Sequence, residues 1–257
     1  MLIDTHAHIH SADYAIPITE AIDRAKEVGV AKIICVGTDE KDSALAVQAA
    51  ASNDNCWAAI GLHPHEAANY TPVEIDRALD QLASLASSPK VVAIGECGFD
   101  YYYNDKSHHA LQEKILRFQI ALALKHDLAM IFHVRNGFDE FWPVFDEYSG
   151  IRGVVHSFSS GQSDINHILS RGLFVGLNGI MTFSRDESQL AAARALPLES
   201  LVLETDAPYL TPVPKRGKVN EPANVSLVAQ FLSELRGESY DTLAQVTSQN
   251  AEKLFTI

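Results

Sequence analysis

The chain has 257 residues, 47% of them hydrophobic and 21% charged, enough for one large α/β domain or two small ones and for a sizeable core. Lys and Arg number 20 against 33 Asp and Glu, and the net charge of −13 excludes a surface generically attracted to nucleic acid or anionic membrane. Three scattered cysteines (Cys35, Cys56, Cys97) form no CxxC and argue against a secreted disulfide framework. No apolar stretch reaches membrane-spanning length and Asp4 interrupts any leader-like start, so a cytoplasmic protein without membrane contact or an obligate protein partner is expected.

The first apolar run, 2–6, ends in Asp4-Thr5-His6-Ala7-His8. On a strand, alternate side chains share a face, so His6 and His8 project the same way, roughly 7 Å apart, as a pair able to grip one metal ion. Further β-type runs follow at 32–37, 56–62, 91–96, 128–134, 153–158, 173–179 and 201–206. Each is near-continuously apolar, the pattern of parallel strands covered on both faces. Helical periodicity fills the intervals at 18–28, 41–51, 72–86, 108–126, 137–148, 163–170, 187–194 and 224–235, and a last helix covers 240–254. Thr71 reads as an N-cap before Pro72 at the first helical position. Eight alternations with short links predict a parallel (β/α)8 TIM barrel in one domain, 1–257. An open doubly wound sheet is the alternative, but no GxGxxG or GxxxxGK[ST] follows any strand.

Metal-type residues recur at the C-terminal ends of these runs, where barrel active sites are built. Glu96 ends the fourth, His133 the fifth, His156 lies near the end of the sixth, and Asp206 ends the eighth. Four imidazoles and two carboxylates suit two divalent ions if Glu96, from a middle strand, bridges them. Strands one and eight adjoin in a closed barrel, so His6, His8 and Asp206 would hold one ion, and His133 and His156 the other. Paired ions are a recurring device for hydrolysing phosphate esters.

The DTHAHIH opening, GECGFDY, HVR, VVHSFSSG and ETDAPYL segments together resemble the TatD family of metal-dependent deoxyribonucleases, in order and spacing over essentially the whole chain. The resemblance implies a (β/α)8 barrel, the same six ligands with Glu96 bridging, and phosphodiester hydrolysis of DNA, often from the 3′ end. Glu96 stands where related amidohydrolase barrels often carry a carboxylated lysine, which favours the TatD branch. Val134, Ser157, an extra serine in Ser159-Ser160-Gly161 and Val219 depart from the usual pattern, and none of these departures removes a ligand.

Other residues are weighed as site or scaffold. Asp4 and Glu204 would orient ligand imidazoles, against simple backbone hydrogen bonding. His63 and Arg135 would contact substrate phosphate, against a loop histidine and a surface ion pair. His65 reads as solvated. The aromatic run Tyr101-Tyr102-Tyr103 could stack bases, with Tyr101 as substrate contact, against packing on its own domain. Lys215-Arg216-Gly217-Lys218, the one basic cluster, is either a solvated run or a contact for a nucleic-acid backbone.

The expected activity is a two-metal phosphodiester hydrolase, a 3′-5′ exodeoxyribonuclease on single-stranded DNA ends, with RNA as a further substrate and Asp206 as general base. The alternative is an amide or ester hydrolase such as a deacylase of aminoacyl-tRNA. Mixed imidazole and carboxylate ligation accepts Zn²⁺, Mn²⁺, Co²⁺ or Mg²⁺.

Overall fold

Strands buried on both faces need apolar residues at nearly every position, and the structure is built that way. All six residues of β1 are buried, as are nine of the ten in β4. The computed structural model describes residues 1–102 and 106–257. Among the described residues the order is β1 (Leu2–Ala7), α1 (Ile18–Glu27), β2 (Val30–Val36), α2 (Glu40–Ser52), β3 (Cys56–Ile60), α3 (Pro72–Leu85), β4 (Val91–Asp100), α4 (His109–His126), β5 (Ala129–Arg135) and α5 (Phe138–Phe145). It continues with β6 (Gly153–Val155), α6 (Gln162–Ser170), β7 (Phe174–Leu177), α7 (Ile180–Phe183), α8 (Glu187–Ala195), β8 (Leu201–Leu203), α9 (Val225–Arg236) and α10 (Tyr240–Phe255). The strands run in the order β1 to β8, the strand order of a (β/α)8 barrel.

The chain divides into two compact units. The first joins Met1–Cys35 to Val155–Ile257. In it β1 pairs with β2 in parallel (Asp4 opposite Ile33, Ala7 opposite Cys35), and β7 pairs with β8 (Gly176 opposite Val202). A bridge between Ala7 and Ala207 links the end of β1 to the segment after β8. The His8 amide donates to the Ala207 carbonyl at 2.7 Å and the Asp206 amide to the His6 carbonyl at 2.9 Å. Helix α10 closes this unit through buried polar side chains. Asn250 donates to the carbonyls of Leu198 and Leu201, and Ser248 to that of Met1.

The second unit is Val36–Val154. Here β3, β4 and β5 pair in parallel, with Ile60 opposite Ile94, Gly98 opposite His133 and Asp100 opposite Arg135. The register shifts between Ile94 and Cys97, so Glu96 sits in an irregularity rather than in a regular ladder. Gly98 has φ +147, and a Cβ there would collide with the His133 carbonyl, so only glycine lets the two strands approach at this point. Gln119 of α4 bonds both the amide and the carbonyl of Leu62 and so holds the chain after β3. Helix α3 starts with a full capping box between Thr71 and Glu74.

Three strand ends differ from the sequence reading in ways that matter. β4 continues four residues past Glu96, because its pairing with β5 persists through Asp100. β6 and β8 stop early, at Val155 and Leu203, so His156 and Asp206 lie just beyond their strands. Both segments enter left-handed backbone, at Ser157 (φ +49) and Asp206 (φ +59). Non-glycine residues held in that region cluster at functional sites.

Candidate metal centre

In the first unit three side chains converge on one spot. His6 Nε2 and His8 Nε2 are 3.3 Å apart. They lie 3.7 and 3.4 Å from the same oxygen of Asp206. Ligands around a tetrahedral ion with bonds of about 2.0–2.1 Å stand about 3.3–3.4 Å apart, so this triangle has the size of one ion's coordination edge. The ring of His156 stacks on His6 at 4.1 Å between centroids, and its nitrogen falls within ligand range of His6 and Asp206. All three histidines are buried. Burial alone would push the Asp206 carboxyl up, but the hydrogen bond from His8 and the charges of His6, His8 and His156 outweigh it and hold it below its ordinary value. Asp206 is thus an anion among imidazoles, a donor set suited to a borderline divalent cation.

Two carboxylates frame this cluster without grasping an imidazole. Asp4 accepts from the Thr205 amide at 2.9 Å, the Thr205 hydroxyl at 2.6 Å and the His6 amide at 3.3 Å. It therefore ties the backbone of His6 to that of Thr205, the residue before Asp206. Complete burial pushes its carboxyl up to about 8, although the Thr205 hydrogen bonds oppose the shift. Glu204 accepts from the Ser157 amide at 2.6 Å and the Asn178 side chain at 3.2 Å. Its nearest approach to His156 Nδ1 is 3.7 Å, outside hydrogen-bond range. Gly176 makes room for it, since a Cβ there would strike the Glu204 carboxylate. Sequence reasoning missed Asn178, which also accepts from the Ile180 amide at the start of α7. A four-residue helix is too short to leave a periodic signal.

The second unit carries a different cluster: Glu96, His133 and His63. His133 Nε2 is 2.8 Å from Asp100 Oδ2. Asp100 also takes His65 Nε2 at 3.0 Å and the Tyr102 amide at 2.8 Å. Burial opposes its ionisation, yet the hydrogen bonds from His133 and His65 hold its carboxyl well below the usual range. His133 therefore carries its proton on Nε2, and Nδ1 is left as an acceptor. That acceptor faces Glu96 Oε2 at 3.3 Å. Two acceptors so close call for a cation between them, either a second proton on the ring or a metal ion. His63 is arranged the opposite way. Its Nδ1 accepts from the His65 amide at 3.0 Å, so its proton sits on Nε2, which points at Glu96 Oε2 from 3.5 Å. It is built as a donor toward an anion.

Asp100 was not singled out as a site residue. The signal existed: Glu96 and Asp100 are four apart on one strand and so share a face, but the expected strand ended too soon. Tyr101 requires a correction. Expected to touch substrate, it is 1% exposed, and its hydroxyl lies 2.6 Å from His109 Nδ1, so it packs on its own unit. The exposed neighbour Tyr102 instead stacks under the Arg135 guanidinium at 3.6 Å. Tyr103 lies outside the described residues. His65, expected to be solvated, is half-exposed yet paired with Asp100.

The profile of TatD-related DNases matches residues 3–256. The chain belongs to the TatD-related DNase family. Its relatives within and around the TatD family include the metal-dependent hydrolase YabD of Bacillus subtilis, 34% identical with both chains covered in full. Another is the 3′-5′ ssDNA/RNA exonuclease TatD of Pectobacterium carotovorum, 31% identical, again over the full length of both. The solved structure of YjjV, a TatD homologue from Escherichia coli, superposes with a TM-score of 0.92 at 32% identity, covering 100% of this chain and 98% of that one. The chain thus has the (β/α)8 fold of the TatD family and is a metal-dependent hydrolase. Among its described residues no helix is long and apolar enough to cross a membrane.

Proposed function

We propose that this TatD-family hydrolase removes nucleotides one at a time from the 3′ ends of single-stranded DNA or RNA, with two divalent ions held by His6, His8, Glu96, His133, His156 and Asp206. The observation that carries the reading is the facing of acceptor on acceptor. His133 Nδ1 and Glu96 Oε2 stand 3.3 Å apart while Asp100 keeps the ring proton on the far nitrogen. The His6, His8 and Asp206 triangle supports it, as does the exonuclease name of relatives at about 31% identity.

When bound, such ions supply charge to the phosphate oxygens and acidity to an attacking water. The protein groups do the rest. Asp206, kept ionised by its histidines, accepts the proton of the attacking water. His63 Nε2–H and the exposed Arg135 guanidinium donate to phosphate oxygens, and the guanidinium is pre-oriented by its stack on Tyr102. Water oxygen bonds to phosphorus, the bond from phosphorus to the 3′-oxygen breaks with its electron pair on that oxygen, which takes a proton from solvent, and the terminal nucleotide leaves as a 5′-monophosphate.

The test is hydrolysis of 5′-labelled single-stranded DNA and RNA, with chelator and then Mg²⁺, Mn²⁺, Zn²⁺ or Co²⁺ added back. A ladder shortening from the 3′ end, abolished by chelation and restored by one of these ions, is the expected result. Cleavage of aminoacyl-tRNA esters with no shortening of either oligonucleotide would overturn the reading in favour of a deacylase.

A further inference from the structure

The metal-type clusters explain where a phosphodiester is cut, but not how a chain of net charge −13 holds a polyanion. The loop at 207–221 of the first unit bears on that question. Its backbone is fixed from inside by Asn220, which is 0% exposed. The Asn220 amide nitrogen donates to the carbonyls of Thr205 and Tyr209, and its oxygen accepts from the Glu221 amide and the Asn224 side chain. The Thr211 hydroxyl donates to the Lys218 carbonyl at 2.6 Å, and Thr182 of α7 accepts from the Val213 amide at 2.9 Å. Arg216 donates to the Thr211 carbonyl at 2.9 Å and lies over the Phe183 ring at 3.8 Å.

This rigid frame presents two things outward. Tyr209 is 62% exposed, so its ring is open to an incoming group. Its ring centroid is 6.2 Å from that of His8, so it stands directly beside the His6, His8 and Asp206 cluster. Lys218 and Arg216 are exposed on the same loop, and Lys215 is half-exposed, reaching Glu221 only at 3.6 Å. An exposed ring beside the reacting centre, followed by cations along one loop, is the combination that single-stranded nucleic acids recognise: stacking for the bases and charge for the backbone.

The geometry points to the 207–221 loop as a single-strand binding ridge, in which Tyr209 stacks a base at the 3′ end of the substrate and Lys218 and Arg216 take the phosphates of the adjoining nucleotides. The inference rests on the proposed 3′-end exonuclease reading and adds to it the feature of the strand that is recognised: a base at the end, independent of its identity. Stacking on every base alike predicts low sequence preference and no discrimination between deoxyribose and ribose by this ridge.

The experiment is fluorescence anisotropy with two 5′-labelled oligonucleotides, one ending in thymidines and one ending in two abasic nucleotides, with the terminal linkage a phosphorothioate to slow cleavage. The deoxyribose and ribose versions are run in parallel. Wild-type protein should bind the base-bearing end about tenfold more tightly, the value of one base-on-aromatic stack. Tyr209→Ala should bind both ends alike, and Tyr209→Phe should restore the difference. Lys218→Ala should leave the preference for the base-bearing end in place while flattening the dependence of log affinity on log salt by about 0.7, one phosphate contact. Discrimination persisting in Tyr209→Ala, in a protein that still trims 3′ ends, overturns the ridge and leaves the exonuclease reading standing. Failure of the wild type both to trim and to bind overturns the two together.

Discussion

The two units solve one problem, that of aiming imidazoles, by different means. In the first, the carboxylates of Asp4 and Glu204 spend their hydrogen bonds on backbone amides, on Thr205 and on Asn178, and the rings of His6 and His156 are located by the strands those bonds join. In the second, Asp100 bonds the rings of His133 and His65 directly and fixes which nitrogen of His133 is protonated. A carboxylate on backbone sets position, whereas a carboxylate on a ring also sets the basicity of its other nitrogen. The difference shows in the acids themselves: burial carries Asp4 up to about 8, while its histidine partners hold Asp100 well below the ordinary range despite burial.

The largest expected effect tests whether both clusters are needed. Asp206→Asn in the first unit and Glu96→Gln in the second should each lower 3′-end trimming by about a thousandfold or more, as complete chelation should, with circular dichroism unchanged. A variant of either residue that kept full activity after metal removal and re-addition would leave one cluster without a catalytic role. Next, Asp100→Asn removes the anion behind His133. Metal affinity measured by calorimetric titration should fall about 10- to 100-fold while the protein stays folded. Asp4→Ala should show the opposite profile. It leaves the buried Thr205 amide without its acceptor, and urea melts should show a loss of about 1–3 kcal/mol, with metal affinity of the folded protein nearly kept. The smallest effect is a control away from both clusters: Thr71→Ala at the start of α3 breaks the capping box and should lower urea stability by about 1 kcal/mol without touching metal binding.

The alternation of strands and helices was legible because buried parallel strands and amphipathic helices write opposite periods into the chain. The histidines and acids at strand ends were legible for the same reason: the end of an apolar run marks where a polar side chain can project. What was not legible came from pairing. The extension of β4 to Asp100 depends on β5 lying alongside, and the roles of Asp4 and Glu204 depend on which backbone amides face them across the unit. Tyr101 and Tyr102 are adjacent and chemically alike in the sequence, but one ring lies in the core and the other under Arg135. No local pattern separates them, because a strand end turns one side chain inward and its neighbour outward only once its partner is in place.

Asn220 carries a consequence for how this protein can change over time. All of its side-chain hydrogen-bonding directions are committed to four different backbone or side-chain groups within the 205–224 stretch. Such a hub tolerates any side chain that points away from it, but it has no slack for an added or deleted residue. Substitution can therefore retune the outward face of the 207–221 loop, whereas a change in its length would break the four bonds that Asn220 makes.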